Sequence, residues 1–310
     1  MPTGTEPVHH IQRPDWLRTS KNDPRGYIQP ESLKELWFHT GTICNLSCPF
    51  CLEGSKPGDD RLNRIAFEDA RPFMDEAVRL GVEKFSFTGG EPFVVKDFVR
   101  ILDYALDLRP CLVLTNGTDP LRTRLSEIVP FLQKPHPLNF RVSIDYPDEA
   151  RHDAGRGKGN FAQAAASLKE LYIAGFGVSI ARQRLPGENV KEGDAAYQPL
   201  IQKAGLPEET RIVSFPDFFL PQANVRTPEI TENCMTAYQA EEARRKFMCS
   251  YSKMVVKREG QMRVYACTLV DDDPDYDLGR TLTGSMKVRV MLKHHRCYSC
   301  FSQGASCSEM

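Results

Sequence analysis

Residues 35–51 read ELWFHTGTICNLSCPFC. The first part, Glu35 to Gly41, reads as a short strand, and the rest is a loop that carries Cys44, Cys48 and Cys51. Three thiolates this close in sequence can converge on one face of an iron–sulfur cubane, because soft sulfur ligands suit such clusters. Three protein ligands leave one iron of the cubane open, free to bind a substrate or cofactor. On spacing alone, a zinc knuckle completed by a distant fourth ligand explains the same cysteines.

Outward from this stretch, strands and helices alternate. FEDARPFMDEAVRLG (67–81) has apolar residues at helical spacing, with Gly81 as its C-cap. EKFSFTGG (83–90) reads as a strand, VKDFVRILDYALDL (95–108) as a helix and CLVLTNG (111–117) as a strand. A helix over 118–132, a strand LNFRVSID (138–145), a helix over 159–175, a strand FGVSIAR (176–182) and a final strand RIVSF (211–215) complete the series. Such alternation implies parallel βαβ units in an α/β fold. About six repeats are too few for a full eight-fold barrel, so an open doubly wound sheet and a partial barrel both fit. Residues 1–33 are polar and proline-bearing and read as a loosely structured N-terminal arm. The barrel or sheet unit spans 34–215, and a smaller C-terminal domain spans 216–310. It opens with an irregular proline-rich linker, followed by a hairpin, KMVVKREGQMRVYAC (253–267), that turns at Glu259-Gly260.

The 310 residues carry a net charge of −1, which argues against a nucleic-acid partner. No apolar run is long enough to span a membrane, and the N-terminus lacks an apolar signal core, so a cytoplasmic location is expected. Ten cysteines in such a chain point to metal ligation rather than to a secreted disulfide framework. Seven of them form two groups: Cys44, Cys48, Cys51, and Cys249, Cys267, Cys297, Cys300.

The C-x3-C-x2-C loop after the first strand, with Phe50 before its last cysteine, resembles the signature of the radical S-adenosylmethionine (SAM) superfamily. Three further strand ends match in order. Gly89-Gly90-Glu91-Pro92 resembles the GGEP motif that holds the SAM amino group. Thr115-Asn116-Gly117 resembles a TNG strand end, and Ser143 and Asp145 stand where relatives contact the ribose or carboxylate of SAM. Arg151 to Gly157 resembles an RG stretch of several subfamilies, with no specific contact assigned. The resemblance covers roughly 34–215 and implies a partial (β/α)6 TIM-type barrel with its site at the C-terminal strand ends. It also implies a SAM-binding [4Fe–4S] cluster on Cys44, Cys48 and Cys51, and a flavodoxin- or ferredoxin-type electron donor. One electron then cleaves SAM to methionine and a 5′-deoxyadenosyl radical, which removes a hydrogen atom from a substrate.

Cys249 and Cys267, in C-x17-C spacing around the hairpin, and the pair Cys297 and Cys300 resemble the twitch appendage, a short SPASM-like domain holding an auxiliary [4Fe–4S] cluster. Cys307 is an alternative ligand. A four-cysteine zinc ribbon is the competing explanation. Cys111 reads as a core residue, Cys234 as a spare thiol or an alternative ligand, and His294 and His295 as solvated surface or, beside Cys297, as groups that tune or ligate a metal. A second cluster ligated by four cysteines has no open iron, which favours electron transfer and a net oxidation. The catalytic base is not nominated by the sequence; Asp217, Glu188 and Arg182 are pocket candidates that equally suit surface salt bridges. With only 33 residues before the first strand, a small-molecule substrate is expected, with a peptide as the alternative. A non-catalytic metal-binding barrel is the reading from another class.

Overall fold

The computed structural model describes residues 13–185, 187–216 and 218–304. Eight strands form one sheet: β1 (Glu35–His39), β2 (Lys84–Thr88), β3 (Cys111–Thr115), β4 (Leu138–Ser143), β5 (Gly177–Gln183), β6 (Ile212–Phe215), β7 (Ser252–Arg258) and β8 (Gln261–Tyr265). Their order is β6-β5-β4-β3-β2-β1-β7-β8. All neighbours from β6 to β7 run parallel, and β7 and β8 are antiparallel. This is an α/β fold with a mostly parallel sheet, as a partial barrel requires.

Period-2 alternation sorts the strand side chains onto two faces. Leu36, Phe38, Phe85, Phe87, Cys111 and Val113 enter one core with the helices. The helices behind them include α1 (Phe67–Arg79), α2 (Phe98–Leu108), α4 (Asn160–Ala174) and α6 (Gln198–Ala204). Trp37, Leu112, Met254 and Val256 join a second core on the other face, together with Trp16, Cys249, Tyr276 and Cys297. Both faces are thus covered, as parallel sheets demand.

The expected helix over 118–132 is broken into Asp119–Thr123, Leu125–Ile128 and a 3₁₀ segment Val129–Gln133. Arg124 leaves helical geometry, and its guanidinium donates to Val95 O and Lys96 O. Pro130 cannot donate an amide hydrogen to continue the run. Three short helices lacked a readable period: α3 (Glu149–Arg156), α5 (Val190–Ala195) and α6. In α3 only His152 is buried, so there was no apolar stripe to detect.

The hairpin forms as expected, with Glu259 and Gly260 both at positive φ (51° and 75°), the two-residue turn that matches strand twist. Its first strand extends the barrel sheet: β7 pairs in parallel with β1, Glu35 facing Ser252. Residues 13–33, expected to be loosely structured, are folded onto the C-terminal segment in their described part. Tyr27–Ile28 pairs antiparallel with Val290–Met291, and Trp16 packs edge-on against Tyr276 at 5.0 Å between ring centroids. His294 and His295, expected at the surface, are both buried. His294, just before α7 (His295–Gln303), packs edge-on against Tyr276, and its Nε2 lies 3.3 Å from Asp272.

Candidate active site

Cys44, Cys48 and Cys51 line a single pocket at the C-terminal ends of the strands. Phe50, Gly89, Gly90, Asn116, Ser143 and Asp145 line the same pocket, so all but one of the SAM-contact residues expected from the sequence converge there.

The exception is Glu91, which is fully buried behind the wall. Its carboxylate accepts the Thr115 hydroxyl at 3.0 Å, the Asn116 amide at 2.8 Å and the Phe93 amide at 3.2 Å. It therefore clamps the end of β2 to the end of β3. Burial pushes its pKa up to about 7 against these hydrogen bonds.

The glycines serve the cysteine loop itself. A Cβ on Gly90 would fall 2.0 Å from Ile43 O, and one on Gly89 would fall 2.6 Å from Thr40 Oγ1. The Gly90 amide donates to Gly41 O at 2.8 Å, and the Glu91 amide to Ile43 O at 3.1 Å. Asn116 completes the brace. Its side-chain nitrogen donates to Asn45 Oδ1 at 2.9 Å and lies 3.8 Å from Cys44 Sγ.

Arg156, on the last turn of α3, was not assigned a contact from sequence. Its guanidinium donates to Asp145, lies 5.8 Å from the centre of the Phe50 ring and lines the pocket. Gly155 lets this happen, because a Cβ there would meet Phe50 Cε1 at 2.3 Å. Burial opposes the charge on Arg156, but Asp145 and the thiols of Cys48 and Cys51 outweigh it and raise its pKa. The three thiols respond to the same surroundings. Burial pushes Cys44 up to about 12 and raises Cys48 and Cys51, while Arg156 pulls the latter two back. Buried thiols of this kind become thiolates when a metal ligates them. A trio of soft donors beside a cationic side chain therefore fits an iron–sulfur cluster.

Arg182 lines the pocket, but its guanidinium is held by Glu188 at 2.9 Å, Asp194 at 2.7 Å and Val190 O at 3.3 Å. Glu188 is thereby a structural partner of Arg182, and Asp217 lies outside the described residues. A further group escaped sequence reading: His39 Nε2 meets Glu53 at 3.0 Å, and Asp271 stands beside them, paired with Arg61 at 2.7 Å. Asp271 is more than 200 residues from the other three, and none of the four belongs to a motif, so no local signal marked the group.

Cys249, Cys267, Cys297 and Cys300 line a second, apolar pocket with Phe247, Met248, Val270 and Tyr276. Cys249 precedes β7, Cys267 follows β8, and Cys297 and Cys300 share one face of α7. Burial pushes Cys249 up to about 12 and Cys297 up to about 11. Among the described residues, the one group with three ligand atoms mutually within 4.8 Å is His39, Glu53 and Asp271. Cys111 is a buried core residue; Cys234 packs against the second core without lining its pocket. Cys307 lies outside the described residues. Leu269 contributes to the walls of both pockets. Arg296 ties them together by donating to Leu52 O at 2.9 Å and Leu269 O at 3.1 Å.

No helix among the described residues is long and apolar enough to cross a membrane. Among characterised proteins, the chain is similar to the mycofactocin maturase MftC of Mycolicibacterium smegmatis. The two are 33% identical over 135 residues, covering 43% of this chain and 33% of MftC. It is also similar to the antilisterial bacteriocin subtilosin biosynthesis protein AlbA of Bacillus subtilis, at 34% over 140 residues, covering 44% of this chain and 30% of AlbA. The match thus spans about a third of the length of these relatives. The fold recurs in SuiB of Streptococcus suis bound to SAM, with a TM-score of 0.61 at 15% identity over 80% of this chain and 63% of SuiB. SuiB has also been crystallised with its precursor peptide SuiA, a structure that covers 60% of this chain and 40% of that one at 17% identity and a TM-score of 0.51. The family model of the Radical SAM superfamily matches residues 38–198, just over half the chain, and on that match, over the stretch that carries the cysteine loop and its bracing strand ends, the chain belongs to the radical SAM superfamily.

Proposed function

We propose that this protein binds SAM beside a [4Fe–4S] cluster on Cys44, Cys48 and Cys51 and oxidises a peptide by hydrogen-atom abstraction. The observation that carries the reading is the meeting of three thiols, the Gly89-Gly90 and Thr115-Asn116 strand ends and the Arg156–Asp145 pair in one pocket. When bound, the cluster supplies the electron that cleaves SAM to methionine and a 5′-deoxyadenosyl radical. The chain's own residues do the rest. Arg156 offsets the negative charge of Cys48 and Cys51, Ser143 and Asp145 offer polar contacts to SAM, and Trp37, Leu114 and Phe215 form an apolar wall that excludes water.

The second pocket fits an auxiliary [4Fe–4S] cluster ligated by Cys249, Cys267, Cys297 and Cys300. Four soft thiol donors gathered in one apolar pocket next to the first site support an iron–sulfur cluster there. Four thiolates leave no open iron, so its role is to accept the electron left on the substrate. Leu269, shared by both pockets, marks the short route. A flavodoxin- or ferredoxin-type protein would reduce the first cluster.

A peptide replaces the small molecule expected from chain length. Similarity to a bacteriocin biosynthesis protein and to a fold seen with a precursor peptide supports this. So does Leu220, which is exposed and borders a groove that Cys48 and Cys51 also line.

Anaerobic reconstitution tests the reading. About eight irons per chain are expected, falling to about four in a Cys44/Cys48/Cys51→Ala variant that releases no 5′-deoxyadenosine. A peptide should lose two hydrogens as 5′-deoxyadenosine forms. Conversion of a small molecule, with peptides inert, would overturn the substrate class. Four irons plus zinc would remove the electron-acceptor role.

A further inference from the structure

Lys253, the second residue of β7, is completely buried opposite Leu36 of β1. Its Nζ donates to Cys249 O at 3.0 Å and Ser252 O at 2.9 Å. Among the described residues no carboxylate pairs with it; the ionisable groups it faces are the thiols of Cys249 and Cys267. Arg296, the buried cation that lines the second pocket, lies by contrast within the field of Asp272 and Glu53.

A buried ammonium held only by carbonyl oxygens is costly unless a negative charge lies close by. A cluster on four thiolates supplies that charge and gains one more negative charge when reduced. We propose that Lys253 is the counter-ion of the cluster at Cys249, Cys267, Cys297 and Cys300, and that it raises the cluster's reduction potential so that it takes up the electron released by substrate oxidation. This rests on the second site holding the cluster proposed above. The cation stabilises the reduced form more than the oxidised form, because attraction grows with the cluster's charge. Lys253 touches neither substrate nor SAM; it acts through the cluster.

The test is a redox titration followed by electron paramagnetic resonance, with iron and zinc quantified in every sample. It uses the full chain in the Cys44/Cys48/Cys51→Ala background, where the second cluster alone remains. Lys253→Met should lower the potential, so that the reduced-to-oxidised ratio at a fixed ambient potential falls about tenfold or more, equivalent to about 59 mV per tenfold for one electron. Lys253→Arg should stay near the parent. Iron loss in the Met variant with retention in the Arg variant also supports a charge requirement. An unchanged potential in Lys253→Met with about four irons bound overturns the proposal. So does equal iron loss in both variants, which would mark a steric role. Zinc instead of iron in the Lys253-containing parent would overturn the cluster reading itself, and the tuning role with it.

Discussion

Gly90 shows how one hydrogen atom in place of a side chain positions a metal site. Its Cα faces the backbone of the cysteine loop so closely that a Cβ would sit 2.0 Å from Ile43 O. That contact is with main chain, which cannot rotate away, so the loop must move. Gly90→Ala should therefore misplace Cys44, one residue beyond Ile43, while leaving the second pocket untouched. Iron should fall to about four per chain and 5′-deoxyadenosine release should be lost, with the far-ultraviolet circular dichroism unchanged. Full iron content with normal SAM cleavage would show that the loop tolerates the methyl group. Sequence marked Gly90 correctly but for another reason, close approach of backbone to a ligand. Only the fold shows the cysteine loop crossing over it. Glu91 is a parallel case. The motif gave its position, and the structure shows its carboxylate turned into the wall to hold Thr115 and Asn116.

At the scale of elements, what could be read from sequence was whatever had a local period or a local turn. The long helices α1, α2 and α4 carry apolar stripes, and the hairpin carries Glu259-Gly260. Helix α3 carries neither: its sequence EARHDAGR has no large apolar residue, and only His152 is buried. Yet α3 delivers Arg156 to the active site, so the most informative residue missed by sequence lies on the least readable helix. The helix is seated by His152, which is 1% exposed, packs edge-on to Phe161 at 5.6 Å and has no hydrogen-bond partner on either ring nitrogen. Burial, and then the Arg156 charge, lower its pKa from 6.5 to about 4. The neutral ring thus contributes stability above pH 6.5 that is lost as the pH falls through 4. Urea denaturation of the iron-free protein should show this against His152→Leu. Between pH 7 and pH 4 the balance should shift by about 3 kcal/mol in favour of the variant. Parallel pH profiles for the two proteins would mean that α3 leaves its dock before His152 titrates.

On the scale of the whole molecule, the two cysteine sites are built by different parts of the chain. The cysteines and motif residues of the first lie within a contiguous stretch, from β1 to α3, which is why its motifs could be read in order. The second depends on a meeting that no window of sequence contains. Residues 13–28 pack on the segment around 276–297, with Tyr27 opposite Met291 and Trp16 against Tyr276. Tyr276 in turn donates to Met291 O at 2.7 Å and sits 3.5 Å from Cys297 Sγ. The arm that reads as loose is therefore part of the core around the second site, since burying Trp16 and Ile28 rewards an otherwise polar segment for folding. Trp16→Ala should remove that support and leave a cavity against Tyr276, costing about 3–5 kcal/mol. Because the barrel core excludes Trp16, the loss should be local. The variant is expected to lose iron from the second site on gel filtration and retain about four irons at the first. It should still cleave SAM to 5′-deoxyadenosine, but the peptide should no longer be oxidised. If both clusters vanish together, the two halves fold as one cooperative unit through β1 and β7. If neither is lost, the arm is dispensable and Tyr276 holds Cys297 without it.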